Sequence, residues 1–184
     1  MKKSALIIAL ILCASSASAQ FKNEGLKVIG EAGLGVNWTT LSIQNKYMSD
    51  FGYINPGVDV SLGYMLTPYC FLGGGLGYNV GFPTDKASLQ GFAQQGLTEH
   101  GLKLFGHARF YTKATGNGWM FDVKVGYKRM LAKNGANLLD IFGGVGYMFG
   151  GRYAVTLGYA NSLKGAAAMT LMEHGPAAKF SIEF

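Results

Sequence analysis

The side chains that could do chemistry in this sequence lie at every second position of several apolar segments. Lys103, His107 and Arg109 follow this spacing in one segment, and Asp122 and Lys124 follow it in the next. In an extended strand, residues two apart point to the same side of the chain. The spacing therefore predicts one face on which carboxylates, amines and an imidazole meet, either as ion pairs or as a path for protons or ions.

Extending this parity along the chain gathers most of the charged residues on one face. Charge that faces lipid costs about 2–4 kcal/mol for Lys or Arg at the membrane midplane, whereas buried charge is tolerated when it is paired. We therefore predict an interior ion-pair network, with Lys27 and Lys128 sharing its parity and Arg129 as the exception on the opposite face. The predicted network is Glu31, Asp59, Lys103, His107, Arg109, Asp122, Lys124, Asp140, Arg152, Lys179 and Glu183.

Catalytic and ligand-binding motifs are sparse. The sequence has three histidines but no H-E-x-x-H, C-x-x-C or G-x-S-x-G, and no spacing of a metal site. Ser162, Glu173 and His174 could form a hydrolase site only if three separate positions converged. The glycine-rich stretches 73–77 and 143–146 lack the pattern of a phosphate-binding loop. We predict no enzyme activity, no catalytic residue, no cofactor and no metal.

The elements that position the charged face are strands. Alternation of apolar and polar residues with period two predicts eight of them, most about 10 residues long, and a tilted strand needs about 9–11 residues to cross a bilayer. The predicted fold class is all-β, an eight-stranded antiparallel up-and-down transmembrane β-barrel. The predicted strands are 26–38, 53–65, 70–81, 99–113, 119–130, 138–148, 152–160 and a last strand that starts between 171 and 177 and ends the chain.

Composition supports a membrane barrel. The 184 residues include 28 Gly, 12 Phe and 10 Tyr, and 14% are charged, well below the roughly 25% of soluble proteins. No apolar run beyond the N-terminal segment approaches the length of a membrane helix, and lipid satisfies no backbone hydrogen bonds, so a closed barrel is the remaining way to span a bilayer. The bases behind the net charge of +6 are scattered along the chain, which argues against nucleic acid as a partner.

The N-terminus has the order of a secretory signal peptide. Lys2 and Lys3 precede the apolar run 5–12, and Ala17-Ser18-Ala19 forms an A-x-A cleavage site. We expect residues 1–19 to be removed and 20–184 to form a single barrel domain. Cys70 is then the one cysteine of the mature chain, so no internal disulfide is expected.

The lengths of the connections predict an orientation. Links 66–69, 114–118 and 149–151 are short, whereas 39–52, 82–98 and 161–170 are longer. Barrels of this kind have short periplasmic turns and longer outer loops. We therefore expect both termini in the periplasm and the three longer segments outside, with the short link 131–136 as an exception on the outer side.

Taken together, the signal peptide, the eight strands and the ending Phe180-x-Ile182-x-Phe184 resemble the small outer-membrane barrels of the OmpA-transmembrane, OmpX and opacity type. The segments 73–78 and 122–128 look like the variant common in the Bacteroidota. The resemblance implies a location in the outer membrane of a Gram-negative cell, with outer-membrane lipid and lipopolysaccharide as surroundings. It also implies that Phe180, Ile182 and Phe184 form the signal read by the barrel assembly machinery.

The expected function is structural or surface interaction, such as adhesion, with an extracellular ligand or host surface bound by the loops 39–52, 82–98 and 161–170. Three alternatives stay open. A narrow pore would use space left by interior glycines, although an eight-stranded barrel is just wide enough for its own side chains. An outer-membrane enzyme would modify lipid. A soluble lipocalin-like barrel would point its apolar face inward to a ligand, which the charges on the opposing face argue against.

Overall fold

The computed structural model describes residues 24–43, 46–83, 99–131, 137–166 and 169–184. Eight strands form one closed antiparallel barrel, which confirms the predicted fold class. Within the described residues, no helix is long and apolar enough to cross a membrane. The strands are β1 (Gly25–Ile43), β2 (Lys46–Thr67), β3 (Cys70–Pro83), β4 (Glu99–Tyr111), β5 (Gly118–Met130), β6 (Asn137–Phe149), β7 (Tyr153–Ala166) and β8 (Met169–Glu183).

Closure follows from the pairing of β8 with β1, which leaves each strand with two neighbours over the length that all eight share. Pairs followed around the barrel from Ile29 lead back to β1 at Thr39, ten residues further along the strand. This stagger tilts the strands, typically by about 35–45° from the barrel axis. We call the end that carries Gly25 and Glu183 the terminal end and the opposite one the loop end.

The two faces of the sheet have opposite chemistry. In β5, Trp119, Phe121 and Val123 are exposed, whereas Met120 and Asp122 between them are buried. The other strands repeat this alternation, so thirty-three large apolar or aromatic side chains are exposed while most of the charged strand residues point inward. A soluble barrel requires the reverse arrangement, and the lipocalin-like alternative is therefore wrong.

Glycines on the inner face make room for large aromatic rings. Phe71 is fully buried and lies across Gly63 and Gly73, where an added Cβ atom would come within 2.7 and 2.8 Å of its ring. Phe105 lies across Gly75 in the same way, with 2.6 Å between the added Cβ and the ring. The inward-facing glycines of these segments therefore serve interior packing, because a side chain at those positions would collide with a ring or with the neighbouring strand.

Exposed aromatic side chains are concentrated at two levels of the barrel wall. Trp119 and Tyr153 belong to the level near the terminal end, and Trp38 and Tyr78 to the level near the loop end. On β5, ten residues separate Trp119 from Arg129, which at the expected tilt corresponds to roughly 24 Å along the barrel axis. This height matches the apolar band of about 25 Å in outer-membrane barrels.

Two predicted loops are wrong. Most of 39–52 and 161–170 is strand, because β1 and β2 pair as far as Ile43 and Lys46, and β7 and β8 pair as far as Ala166 and Met169. Antiparallel pairs satisfy their own backbone hydrogen bonds, so these hairpins continue where the apolar alternation stops. The last strand accordingly starts earlier than the predicted window. The predicted signal peptide 1–19, and most of the links 82–98 and 131–136, lie outside the described residues.

Candidate functional site

The interior is organised around Arg109 of β4, which is fully buried. Its guanidinium donates to Glu31 Oε1 at 2.9 Å, to Asp122 Oδ2 at 2.5 Å and to Glu183 Oε1 at 2.5 Å. It also donates to the Ser181 hydroxyl at 3.3 Å. The three carboxylates come from β1, β5 and β8, so one side chain connects widely separated parts of the wall through charge-assisted hydrogen bonds.

A second layer of charges lies on the loop side of Arg109. Lys124 donates to Glu31 and, at 2.7 Å, to Asp59 Oδ2. Lys179 approaches the same Asp59 oxygen at 3.5 Å, and its ammonium also lies 3.5 Å from the centre of the Phe142 ring. Asp59 Oδ2 therefore lies close to the ammonium groups of both lysines, and a cation–π contact with Phe142 also positions Lys179.

The terminal end of the lumen is filled. Lys27 is ion-paired with Glu183, and the Tyr111 hydroxyl donates to Glu183 Oε1 at 2.9 Å. Beside these groups, a cluster of buried side chains, which we call the apolar plug, occupies the space between the strands. The plug consists of Ile29, Met65, Phe71, Tyr111, Met120, Met148 and Ala154.

The loop half of the lumen retains a cavity of about 50 Å³. Its walls include Asn37, Asn55 and Asn79, and Lys103 lies between Asp59 and Asp140, with its Nζ atom 4.0 Å from an oxygen of each. These gaps are too long for direct hydrogen bonds, and a cavity of this size accommodates a few water molecules. Further ties near this end join Ser162 to Asp140 at 2.5 Å and Lys128 to Glu173 at 2.7 Å.

Ser61, His107 and Asp122 form a chain of hydrogen bonds that their spacing in the sequence does not predict. Nδ1 of His107 lies 2.8 Å from Ser61 Oγ, and Nε2 donates to Asp122 Oδ1 at 3.1 Å. A serine bonded to a histidine that is in turn bonded to a carboxylate is the arrangement of a hydrolase triad. Here all three are buried, Asp122 is also bonded to Arg109, and none of them lines the cavity. A substrate has no approach to this serine, so the chain fixes the orientation of the imidazole.

Glu31, His107 and Asp122 also bring potential metal ligand atoms within 4.8 Å of one another. Arg109 donates to both carboxylates, and Lys124 donates to Glu31. A metal ion there would have to displace a guanidinium from a buried site that its charge already neutralises, at a high cost. The group is therefore explained as part of the ion-pair network.

The imagined hydrolase trio does not converge. Glu173 points into the lumen, where it pairs with Lys128, and Ser162 donates to Asp140. His174 points outward, where its ring is bonded to the hydroxyls of Tyr159 at 2.5 Å and Thr40 at 3.2 Å. Because adjacent residues of a strand face opposite sides, Glu173 and His174 are separated by the barrel wall.

Ion pairs join ten of the predicted network residues to one another. Arg152 precedes β7, and its guanidinium carbon lies 4.7 Å from the centre of the Phe184 ring. The network has members that were not predicted, chiefly Glu173, Ser61 and Tyr111. Their parity in the sequence is compatible with the inner face, but the alternation around Glu173 does not define the start of the last strand, and the hydroxyls of Ser61 and Tyr111 carry no charge that marks them as network members.

No protein-family model matches this chain, and no curated protein matches it in sequence. Among solved structures, Neisserial surface protein A is 13% identical with a TM-score of 0.51, over 87% of this chain and 97% of that chain. The N-terminal β-barrel domain of Pseudomonas aeruginosa OprF is 14% identical with a TM-score of 0.49, over 89% and 100%. Ail of Yersinia pestis is 7% identical with a TM-score of 0.47, over 88% and 99%.

The chain is a transmembrane β-barrel. The likeness to Neisserial surface protein A establishes this fold and covers nearly the whole of both chains. The apolar exterior and charged interior give the same result independently, because a closed ladder with an apolar outside is one of the two backbone arrangements that can cross a bilayer.

Proposed function

We propose that the chain is an integral outer-membrane β-barrel of a Gram-negative bacterium, of the Bacteroidota type, with a structural or surface-interaction role. The observation that carries the proposal is the reversal of polarity across the wall, with Leu76, Leu104 and Leu157 strongly exposed and Arg109 fully buried. Transfer of these exposed apolar side chains from water into lipid is favourable by about 25 cal/mol for each Å² of apolar surface. The interior network then acts as a rigid support.

A narrow pore fits the interior poorly. The apolar plug and the carboxylates around Arg109 occupy the terminal half of the lumen, and Arg109, Phe71 and Met120 are fully buried there. The cavity in the loop half is therefore blind in the part of the chain that the structure describes. This arrangement supports a closed barrel whose function lies on its surface.

A lipid-modifying activity has no support from the described residues either. Such an enzyme needs a nucleophile or base that a lipid can approach from the membrane or the loop end. Ser61, His107 and Asp122 are sealed inside, and His174 is separated from Glu173 by the wall. The buried charged groups of the described residues therefore support a scaffold role.

We further propose that both termini face the periplasm and that the barrel assembly machinery inserts the chain, reading Phe180, Ile182 and Phe184. The loop end would then face the outside, surrounded by lipopolysaccharide. It would display the β1–β2 hairpin, the β7–β8 hairpin and the segment 84–98 that joins β3 to β4. An extracellular ligand or host surface would be bound by these parts, because loops on a rigid scaffold are common binding elements.

Heat-modifiability tests the membrane barrel. The protein is extracted from the outer-membrane fraction with detergent and run on a gel with and without boiling. We expect a compact, faster band that shifts on boiling, because the closed ladder resists detergent at room temperature. Recovery of the protein in the soluble periplasm, with no shift, would contradict the proposal.

Cysteine labelling in whole cells tests the orientation. In a Cys70→Ser background, Ser88→Cys places a thiol in the segment 84–98, and Thr115→Cys places one in the turn between β4 and β5 at the terminal end. We expect a membrane-impermeant maleimide to label Ser88→Cys in intact cells, and to label Thr115→Cys after lysis alone. The opposite pattern would reverse the proposed orientation.

A further inference from the structure

Four polar side chains lie side by side on the outer face of β3, β4, β5 and β6, near the loop end. We call this set, which consists of Tyr78, His100, Arg129 and Asn137, the outer polar row. The Tyr78 hydroxyl is bonded to Nδ1 of His100, with the two rings stacked 5.7 Å apart. On the other side, Arg129 donates to Asn137 Oδ1 at 3.4 Å. His100 and Arg129 are diagonal neighbours across the β4–β5 ladder, well within the reach of an arginine.

The charge of Arg129 is not balanced within the described part of the protein. Arg129 is exposed on the outer face, and among the described residues no carboxylate lies within 4.0 Å of its guanidinium. The interior carboxylates do not balance the charge of Arg129, because six of them point inward and each has an inward Lys or Arg within 4.0 Å. These carboxylates are Glu31, Asp59, Asp122, Asp140, Glu173 and Glu183.

The level of Arg129 identifies its surroundings. It lies ten residues beyond Trp119 of the opposite aromatic level, which is roughly the full height of the apolar band. An arginine facing lipid costs about 2–4 kcal/mol at the midplane and about 0–1 kcal/mol near an interface. At this height the guanidinium reaches the layer of lipid headgroups, where the available anions are phosphates. Guanidinium binds phosphate through two parallel hydrogen bonds.

We propose that the outer polar row binds the phosphate of an anionic lipid headgroup, with Arg129 supplying the charge and His100 lying beside it on the neighbouring strand. Tyr78 orients His100 through Nδ1, and Asn137 orients Arg129. The inference rests on the proposed insertion in a membrane and adds a binding site for anionic lipid to it.

The barrel contains its own control for this site. A second tyrosine–histidine pair, Tyr159 with His174, lies on β7 and β8 with rings stacked 6.0 Å apart. There, Nε2 of the histidine is bonded to the Thr40 hydroxyl at 3.2 Å, and the nearby ring of Trp38 brings no positive charge. This second pair has the aromatic geometry of the outer polar row without its guanidinium, so it should not select an anionic lipid.

Native mass spectrometry of the detergent-solubilised barrel, incubated with equal amounts of phosphatidylglycerol and phosphatidylcholine, tests the proposal. We expect the wild-type protein and His174→Gln to retain phosphatidylglycerol preferentially. Arg129→Gln should lose about tenfold in that preference, the size of one hydrogen bond to a charged group, and His100→Gln should lose part of it. An unchanged preference in Arg129→Gln would overturn the proposal, as would equal losses in His100→Gln and His174→Gln.

Two further arms identify the source of the phosphate and the cause of a failure. Retention of the lipid in a large excess of inorganic phosphate is expected, and complete displacement would overturn a lipid as the occupant. The boiling shift on a gel is recorded for every variant. A barrel that shifts but shows no lipid preference refutes this site alone, whereas a chain that never shifts refutes the proposed membrane function.

Discussion

Arg109 Nη1 lies 2.5 Å from Glu183 Oε1, although the two residues belong to strands on opposite sides of the barrel. Seventy-four positions separate them in the chain. The bond therefore spans the lumen, and the same guanidinium also holds Glu31 and Asp122. The interior of this barrel is stabilised by ties across its diameter in addition to the ladders around its wall.

Replacing Arg109 should be severely destabilising. Arg109→Met leaves three buried carboxylates without their shared partner, so we expect a loss of about 3–5 kcal/mol in the free energy of unfolding. Urea unfolding in detergent micelles, followed by the boiling-sensitive band, measures the change. The matched control is Arg129→Met, which removes an exposed arginine and should change the stability by less than about 1 kcal/mol. Similar losses in both variants would contradict the central role of Arg109.

Inner and outer glycines should respond differently to alanine. At Gly75 an added Cβ would lie 2.5 Å from the Val60 carbonyl oxygen and 2.6 Å from the Phe105 ring, whereas at Gly30 nothing lies within 4 Å. We expect Gly75→Ala to destabilise the barrel by about 1–3 kcal/mol and Gly30→Ala to be within about 0.5 kcal/mol of wild type. Comparison of the urea midpoints decides this, and a well-tolerated Gly75→Ala would mean that the ring can move aside.

The protein should not conduct ions. The apolar plug and the charges around Arg109 close the terminal half of the lumen, so planar-bilayer recordings should show no current above the leak of a boiled sample. Insertion is verified in parallel by the gel shift of protein recovered from the same vesicles. Reproducible conductance steps from folded protein would revive the pore alternative.

Phe184 should matter more for assembly in cells than for the stability of the finished barrel. Its ring lies 4.7 Å from the Arg152 guanidinium, and both residues are half-buried, so the cation–π contact is worth about 1 kcal/mol. Phe184→Ala should therefore fold in detergent almost as well as wild type, while less of it reaches the outer membrane. Tyr153→Ala removes the other ring near Arg152, together with its stacking on Phe149 and Phe180, and is the control for lost aromatic contacts at this end. Equal membrane levels of the two variants would argue against an assembly signal.

The two ends of the barrel should tolerate change unequally. Replacing 84–98 by a short glycine–serine linker should leave the urea midpoint nearly unchanged, because shortening a surface loop alters its closure entropy slightly. By contrast, Gly150 and Gly151 both have φ of 62° in the turn before β7, a conformation that valine resists. Gly150→Val/Gly151→Val should cost about 1–2 kcal/mol per residue. Loss of folding after the loop replacement would place part of the stability in 84–98.

The alternation of side chains made the barrel and its interior set predictable from the sequence. Lipid outside and a crowded lumen inside impose opposite chemistry on successive residues, so Asp122 and Lys124 are assigned inward as soon as Val123 is assigned outward. Beyond the membrane this constraint disappears. Water solvates polar residues on either face of a strand, so the extensions to Ile43 and Ala166 show no alternation of apolar and polar residues that would predict a strand.

The contacts within the interior were less predictable than its membership. The bonds from Ser61 to His107 and from Arg109 to Glu183 depend on how far each strand is shifted against the next, and small shifts accumulate to ten residues around the barrel. Glu173 was missed because Gly175, Pro176 and two alanines interrupt the alternation just after it. The position of a residue in the alternation predicts which face of the sheet it lies on. Its hydrogen-bond or ion-pair partner depends on the stagger between the strands.

The tie between Arg109 and Glu183 also has a consequence for the order of assembly. Both Glu183 and Glu173 arrive on the last strand, so the first seven strands contain Lys27, Arg109 and Lys128 before these acids are in place. An unfinished sheet therefore carries surplus positive charge along the surface that will become the lumen. Docking of β8 neutralises that surplus while it completes the hydrogen-bond ladder with β1. Closing the seam is thus also a charge-matching step, and it favours the correct last strand over any other edge that could pair there.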